Sequence, residues 1–457
     1  MMAKSILIFS DGTGQSSGQS FDERRSNIYK LYRATRCAPD SCINPSEQVA
    51  FYDPGIGTLP RSLGVLGGAV RWVHNLVSQA TGLGLTANIV DCYAAIIRLW
   101  QPGDRIFVIG FSRGAYTARC VASVLARCGV PTRMKDGSPL KRDEATAKSI
   151  AREAVKKVYQ HVSSPRDEKY VPQRDALAAR FRADYGSEVE GKSNAFPHFI
   201  GVFDTVAAMG SYGSMGLVAF LVVGSIALIA AALCFFFGSF WFWVGVVTAV
   251  VALVGLVIYV WTHIKVAFGL TEFKWWQTLH FTAFKLKFYD RTLNENVGWA
   301  RHALAIDEHR ADFNRVEWGG KGQEMRKTQP GEPDWLQQYW FAGNHSDIGG
   351  SYPETESRLS DISLKWMVEA AQAVPDGLKV DKSVLQLFPS PDGMQHDECR
   401  SLAFRFAKKL NRAIDIKGTL HPSVYERFKL ADVQQYDLSA AYRPENLRLH
   451  EKAKPYY

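Results

Sequence analysis

The 457-residue sequence predicts an α/β fold: a mostly parallel sheet with helices on both faces, interrupted by a two-helix hairpin of membrane-spanning length. Three observations predict it. Short apolar runs alternate with amphipathic segments before residue 130; a G-x-S-x-G pentapeptide at 110–114 joins one such run to a segment of helical spacing; and no Asp, Glu, Lys or Arg occurs between Asp204 and Lys265. The alternation favours parallel strands joined by crossover helices, with any ligand at the carboxyl ends of the strands.

Taken in order, the chain offers a strand over 5–9, a helix over 27–36, a strand over 49–52, a glycine-rich stretch over 55–84 and a helix over 86–100. The run 106–109 reads as a buried strand. From Ala115 onward apolar residues fall at 118, 121, 122 and 125, which is helical spacing. Residues 132–192 are charged with a helical pattern and read as a solvated excursion placed to cap a site. A strand over 199–203 ends at Asp204. Beyond the apolar segment, residues 301–313 look helical, 339–342 form a strand that ends in a glycine-bearing loop, and Asp361 caps a helix whose Ile362, Leu364, Met367 and Val368 face the sheet. The expected organisation is a first catalytic-domain part over 1–204, the hairpin over 205–264, a second part over 265–376 and a polar extension over 377–457 packed on it.

The uncharged region contains two all-apolar stretches, 215–237 and 240–261, joined by Gly238-Ser239. Each is a little over 20 residues, enough at 1.5 Å per residue to cross a hydrocarbon core of about 30 Å. A soluble core helix usually keeps a polar stripe, and these have none. The alternative is a buried helical hairpin or a lipid-binding lid. A tight connection puts both flanking parts on one side, and Lys265, Lys274, Lys285, Lys287 and Arg291, outnumbering Glu272 and Asp290, make that side the cytoplasm. Residues 273–289 alternate aromatic and basic side chains, with Trp275 and Trp276 as candidate interface anchors or, equally, as parts of a half-buried helix and strand. The amino terminus has too short an apolar run for a signal peptide and reads as the first strand. An inner-membrane, multi-pass placement with the catalytic part in the cytoplasm is the expectation.

The net charge of +9 suits anionic lipid headgroups, and no compact basic patch of nucleic-acid geometry accompanies it. Seven cysteines form no C-x-x-C pair; neither a metal site, nor a disulfide, nor a cofactor is expected from them. The partners expected are a membrane lipid as substrate and the bilayer.

A serine on a sharp strand-to-helix turn needs small neighbours two residues away on each side, which Gly110 and Gly114 provide, and this makes Ser112 the candidate nucleophile. Such a serine needs a base and an orienting acid at other strand ends. Asp204 and His345 follow in the chain order Ser, Asp, His. His421 is the competing histidine, while His302 and His309 read as surface residues of a helix. Asp307 and Asp347 are alternative acids. The backbone N–H of Arg113, with Gly12 and Thr13 in the loop after the first strand, are candidate oxyanion donors; the plainer reading of that loop is a tight turn organised by Asp11. Its IFSDGTG also looks superficially like a phosphatase D-x-D-G-T motif, but Phe9 stands where the aspartate nucleophile would be.

FSDGTG, FYDPGIGT, GFSRGAYTAR, GVFDTV and WFAGNHSDIGGSY occur in an order that resembles the α/β-hydrolase domain family containing the phospholipase effectors of bacterial type VI secretion. The resemblance covers roughly residues 4–370. It implies an α/β-hydrolase fold and an ester-cleaving triad mapping onto Ser112, His345 and Asp204, with glycerophospholipid as the substrate class. The expectation is a membrane-anchored serine esterase. A secreted type VI effector, a non-catalytic membrane scaffold and a soluble thioesterase are the rivals.

Overall fold

The computed structural model describes residues 3–12, 24–55, 83–206, 212–282, 292–313, 315–319, 326, 330–400 and 408–457. Its centre is a six-stranded sheet built from β1 (Ser5–Ser10), β2 (Gln48–Asp53), β3 (Arg105–Phe111), β4 (Pro197–Phe203), β5 (Trp299–Ala305) and β6 (Leu336–Phe341). The spatial order is β6-β5-β4-β3-β1-β2, and every neighbouring pair is parallel. The chain winds from β1 out to β2, then returns past β1 to β3, so the winding reverses between β1 and β3. Open α/β sheets bind ligands in the crevice at that reversal.

Strand residues alternate faces, and both faces are covered. Ile6 and Ile8 of β1 share one core with α2 (Leu83–Leu99) and α3 (Arg113–Cys128), whereas Leu7 and Phe9 share the other with α1 (Asn27–Thr35) and a later helix over Arg358–Ala373. Full burial of each such side chain is worth about 1.5–3 kcal/mol, so this double cover holds the strand ends, and the loops on them, rigidly in register. Ile362, Leu364, Met367 and Val368 lie in the second core as the helical spacing predicts. That helix begins four residues earlier than expected. Its N-cap is Ser357, and Asp361 instead sits buried in the first turn and accepts from Lys30 Nζ at 3.0 Å.

The 132–192 segment is helical, through α4 (Glu144–Arg152) and α5 (Val171–Tyr185), but it is no solvated excursion. Ile150, Val155, Val158 and Phe181 are buried in the first core; Glu144 and Arg152 of α4 face outward, whereas Arg174 of α5 is itself buried. Residues 299–305 form the buried strand β5 rather than a helix. A strand covered on both faces loses its polar alternation, which removes the period-two signal.

The apolar region forms two helices, α6 (Tyr212–Phe237) and α7 (Phe240–His263), joined at Gly238 and Ser239, both with positive φ (68° and 56°). Over Phe240–Val260, α7 is long and apolar enough to cross a membrane, and none of that stretch is buried against the protein. In α6 the side chains are described from Val223 on, and the apolar stretch Val223–Phe237 among them is about 22 Å of helix. Two full spans were expected; one is found among the described residues.

Residues 408–457 pack on the far edge of the sheet. Leu420, Val424, Phe428, Val433, Tyr442 and Leu447 form a third core with Leu304, Ile306 and Trp340 of the β5 and β6 region. Trp340 N–H donates to the Thr419 carbonyl and His421 N–H to the Trp340 carbonyl, which covers the edge strand.

Candidate active site

The carboxyl ends of β3, β4, β5 and β6 converge, and three of the residues singled out in the sequence stand on them. Ser112 directly follows β3 with φ 58° and ψ −120°, and α3 starts at the next residue. A side chain at positive φ is strained, and such strain concentrates at functional sites. The turn closes tightly because a Cβ on Gly110 would strike the Gly114 backbone, and one on Gly114 would strike the Ser10 carbonyl. Ser112 N–H donates to the Phe203 carbonyl at 3.0 Å, tying the elbow to the end of β4.

Asp204 is the residue after Phe203. It too has positive φ (40°) and is fully buried. Its Oδ2 lies 2.6 Å from His345 Nδ1, and its Oδ1 accepts from Ala305 N–H at 3.0 Å. His345 opens a short helix over His345–Gly349 whose N-cap, Asn344, accepts from the N–H groups of Ser346 and Asp347. The imidazole is held between the rings of Phe111 (4.7 Å) and Phe313 (5.1 Å). Phe111 is the neighbour of Ser112, so the elbow itself sets one wall of the histidine. His345 Nε2 is buried without a hydrogen-bond partner among the described residues. An imidazole anchored through Nδ1 with Nε2 open has the tautomer needed to accept a proton.

One residue of this centre left no sequence signal. Arg412, buried in the C-terminal segment, donates from Nη1 to Asp204 Oδ1 (2.5 Å) and from Nη2 to Asp204 Oδ2 (2.9 Å), and is fixed by the carbonyls of Ala305 and Phe313. Burial would push the Asp204 carboxyl up, but the Arg412 charge together with the His345 and Arg412 hydrogen bonds outweighs it and holds Asp204 well below the usual carboxylate range. Glu308 also reaches the site, accepting from His345 N–H at 3.3 Å while paired to Arg310 at 2.7 Å.

The remaining candidates fall elsewhere. Asp307 accepts from Gly343 N–H and the Tyr442 hydroxyl, and Asp347 from His396 and Asn344 N–H, so neither orients His345. His421 bonds Ser423 and stacks on Phe341. His302 is no surface residue: it is fully buried on β5, and burial drives its pKa down to about 3. Gly12 N–H donates to Asp11 Oδ1 at 2.7 Å and is therefore occupied, which removes it as an oxyanion donor here. Thr13 lies outside the described residues. Arg113 N–H, at the start of α3, belongs to the first turn, whose donors have no intrahelical acceptor. Asp11 acts as the organiser of its loop, also accepting from Ser26 Oγ at 2.5 Å and the Tyr52 hydroxyl at 2.8 Å.

The model of the type VI secretion phospholipase effector Tle1-like catalytic domain matches residues 4–228 and 249–370. The chain belongs to this family. The match breaks over 229–248, at the tip of the apolar helix pair. An uncharacterised protein of Saccharomyces cerevisiae is 29% identical over 216 residues, 45% of this chain and 27% of that one, so this chain spans about a quarter of that relative. A crystal structure of an uncharacterised protein from Pseudomonas aeruginosa aligns with a TM-score of 0.37 and 17% identity, covering 84% of this chain and 48% of that one. The Tle1 effector bound to the VgrG spike of the type VI secretion system aligns at 0.29 and 16%, over 77% and 52%. Membership rests on the sequence match over most of the chain.

Proposed function

We propose that this chain is a serine hydrolase of lipid esters, with glycerophospholipid as its substrate class. The observation that carries the proposal is the Asp204–His345 pair, 2.6 Å apart at the strand ends beside the Ser112 elbow, in a chain of a phospholipase effector family. In this reading Ser112 Oγ attacks the ester carbonyl and His345 Nε2 takes its proton. Asp204 holds the Nδ1–H and stabilises the imidazolium, and the Arg113 N–H faces the oxyanion. The imidazolium then protonates the leaving alcohol, and water, activated by the same histidine, frees the acid.

The proposal includes a membrane tether in which the α6–α7 pair inserts from one side, so that the sheet built from both flanks lies on the cytoplasmic face. It is supported by the unburied Phe240–Val260 stretch and by exposed Phe268, Trp275, Trp276 and Phe281 just beyond it. Lys274 Nζ sits 5.1 Å over the Trp276 ring, a pairing suited to the headgroup layer. The family description favours a second reading, an effector delivered by type VI secretion. Incubating the detergent-solubilised protein with mixed lipids and weighing the products tests the activity. Lysolipid and free fatty acid are expected from wild type and not from Ser112→Ala; unchanged lipids would remove the hydrolase reading.

A further inference from the structure

We propose that Arg412 is a positioning residue of the catalytic centre: its guanidinium fork fixes the Asp204 carboxylate toward His345 and offsets its charge. This role rests on the serine-hydrolase reading and deepens it. Arg412 lies outside the family-matched residues, which end at 370. It reaches Asp204 across 208 residues of chain and supplies the missing half of that carboxylate's surroundings.

The geometry is that of a planar fork on a planar acceptor. Both guanidinium Nη atoms bond the two Asp204 oxygens, and each also donates to a backbone carbonyl, Ala305 for one and Phe313 for the other. Phe313 also packs its ring on His345, so the segment that seats the arginine also walls the imidazole. Arg412 therefore fixes the carboxylate plane, and with it the oxygen presented to Nδ1.

The electrostatic consequence follows from the surrounding groups. Glu308, which accepts from His345 N–H, is neutralised by Arg310. Asp347, on the helix that His345 opens, is engaged by His396, which Glu356 also contacts. His302, on β5, is kept neutral by burial. Asp204 is thus the carboxylate bonded to the imidazole ring, and Arg412 balances it. Removing a cation from that carboxylate strengthens the hold on imidazolium, so the base becomes protonated at a higher pH and loses activity there.

The test is the rate at which a fluorophosphonate probe labels Ser112 in the full-length, detergent-solubilised protein, measured from about pH 5 to about pH 9 for wild type, Arg412→Met and Arg412→Lys. For Met, the acidic limb of the rate profile is expected to move up by roughly one pH unit, so that labelling near pH 6 falls about tenfold. For Lys, which keeps the charge but loses the fork, the limb stays and the alkaline plateau falls. A Met variant with the wild-type limb and plateau overturns the role. If the Met variant does not fold, the Lys variant decides: a lowered plateau with an unmoved limb supports the role, and a wild-type plateau overturns it. A wild-type protein that is never labelled removes the hydrolase reading and this role with it, whereas normal wild-type labelling with an unmoved Met profile removes the role alone.

Discussion

Asp204 combines complete burial, a positive φ and three hydrogen-bonding partners, a costly arrangement at any single residue. That cost is consistent with a residue retained for chemistry rather than for packing. Asp204→Asn keeps the shape but sets a donor or a weak acceptor against His345 Nδ1, and a loss of about 10³–10⁴ in kcat with little change in KM is expected; steady-state kinetics on a soluble ester would read it. A second residue-level expectation concerns Asp53, at the end of β2. Burial raises its carboxyl to about 7, although Ser10 Oγ bonds it. The folded state therefore holds this proton between about pH 4 and pH 7, so the stabilising contribution is complete below pH 4 and is lost as the pH rises through 7. Asp53→Asn should leave stability unchanged near pH 4 and raise it at pH 8 by up to about 4 kcal/mol, measurable as a pH-dependent Tm difference. An equal gain at both pH values would contradict the raised pKa.

At the scale of elements, Ser112 was legible because the elbow is a local device: strand, two glycines and helix lie within 24 residues. His345 was legible for a related reason, since a histidine in a glycine-bearing loop after a buried strand marks a strand end. Gly114→Ala should cost more than about 3 kcal/mol or prevent folding, because its methyl group meets backbone rather than a mobile side chain; chemical denaturation would show this. Strand β5 was misread because all seven of its residues are buried and the period that distinguishes strand from helix is lost. The 144–185 helices were read as solvated because their charges are conspicuous in sequence, while the small residues Ala147, Ala151 and Ala154 that seat them in the core are not. Arg412 was invisible for a physical reason of another kind: its partner is distant in sequence, and a lone arginine in a polar stretch carries no pattern.

The whole molecule depends on its last 50 residues more than their composition suggests. They cover the edge of β6, complete the third core and carry Arg412 to the site. A chain ending at residue 376 should expose Leu304, Ile306 and Trp340, aggregate on expression and show no labelling at Ser112. The membrane assignment belongs to this scale as well. The full-length protein should stay in the membrane pellet after alkaline carbonate washing, and a variant lacking residues 229–248 should be released; pelleting of both would place the attachment elsewhere. Activation of Ser112 by His345 underlies all of this chemistry, and peptide mapping after fluorophosphonate treatment reads it at the residue itself. One adduct is expected, on the peptide carrying Ser112, absent from Ser112→Ala and formed at least a hundredfold more slowly in His345→Ala. Labelling that persists in Ser112→Ala, or is as fast without His345, would contradict it.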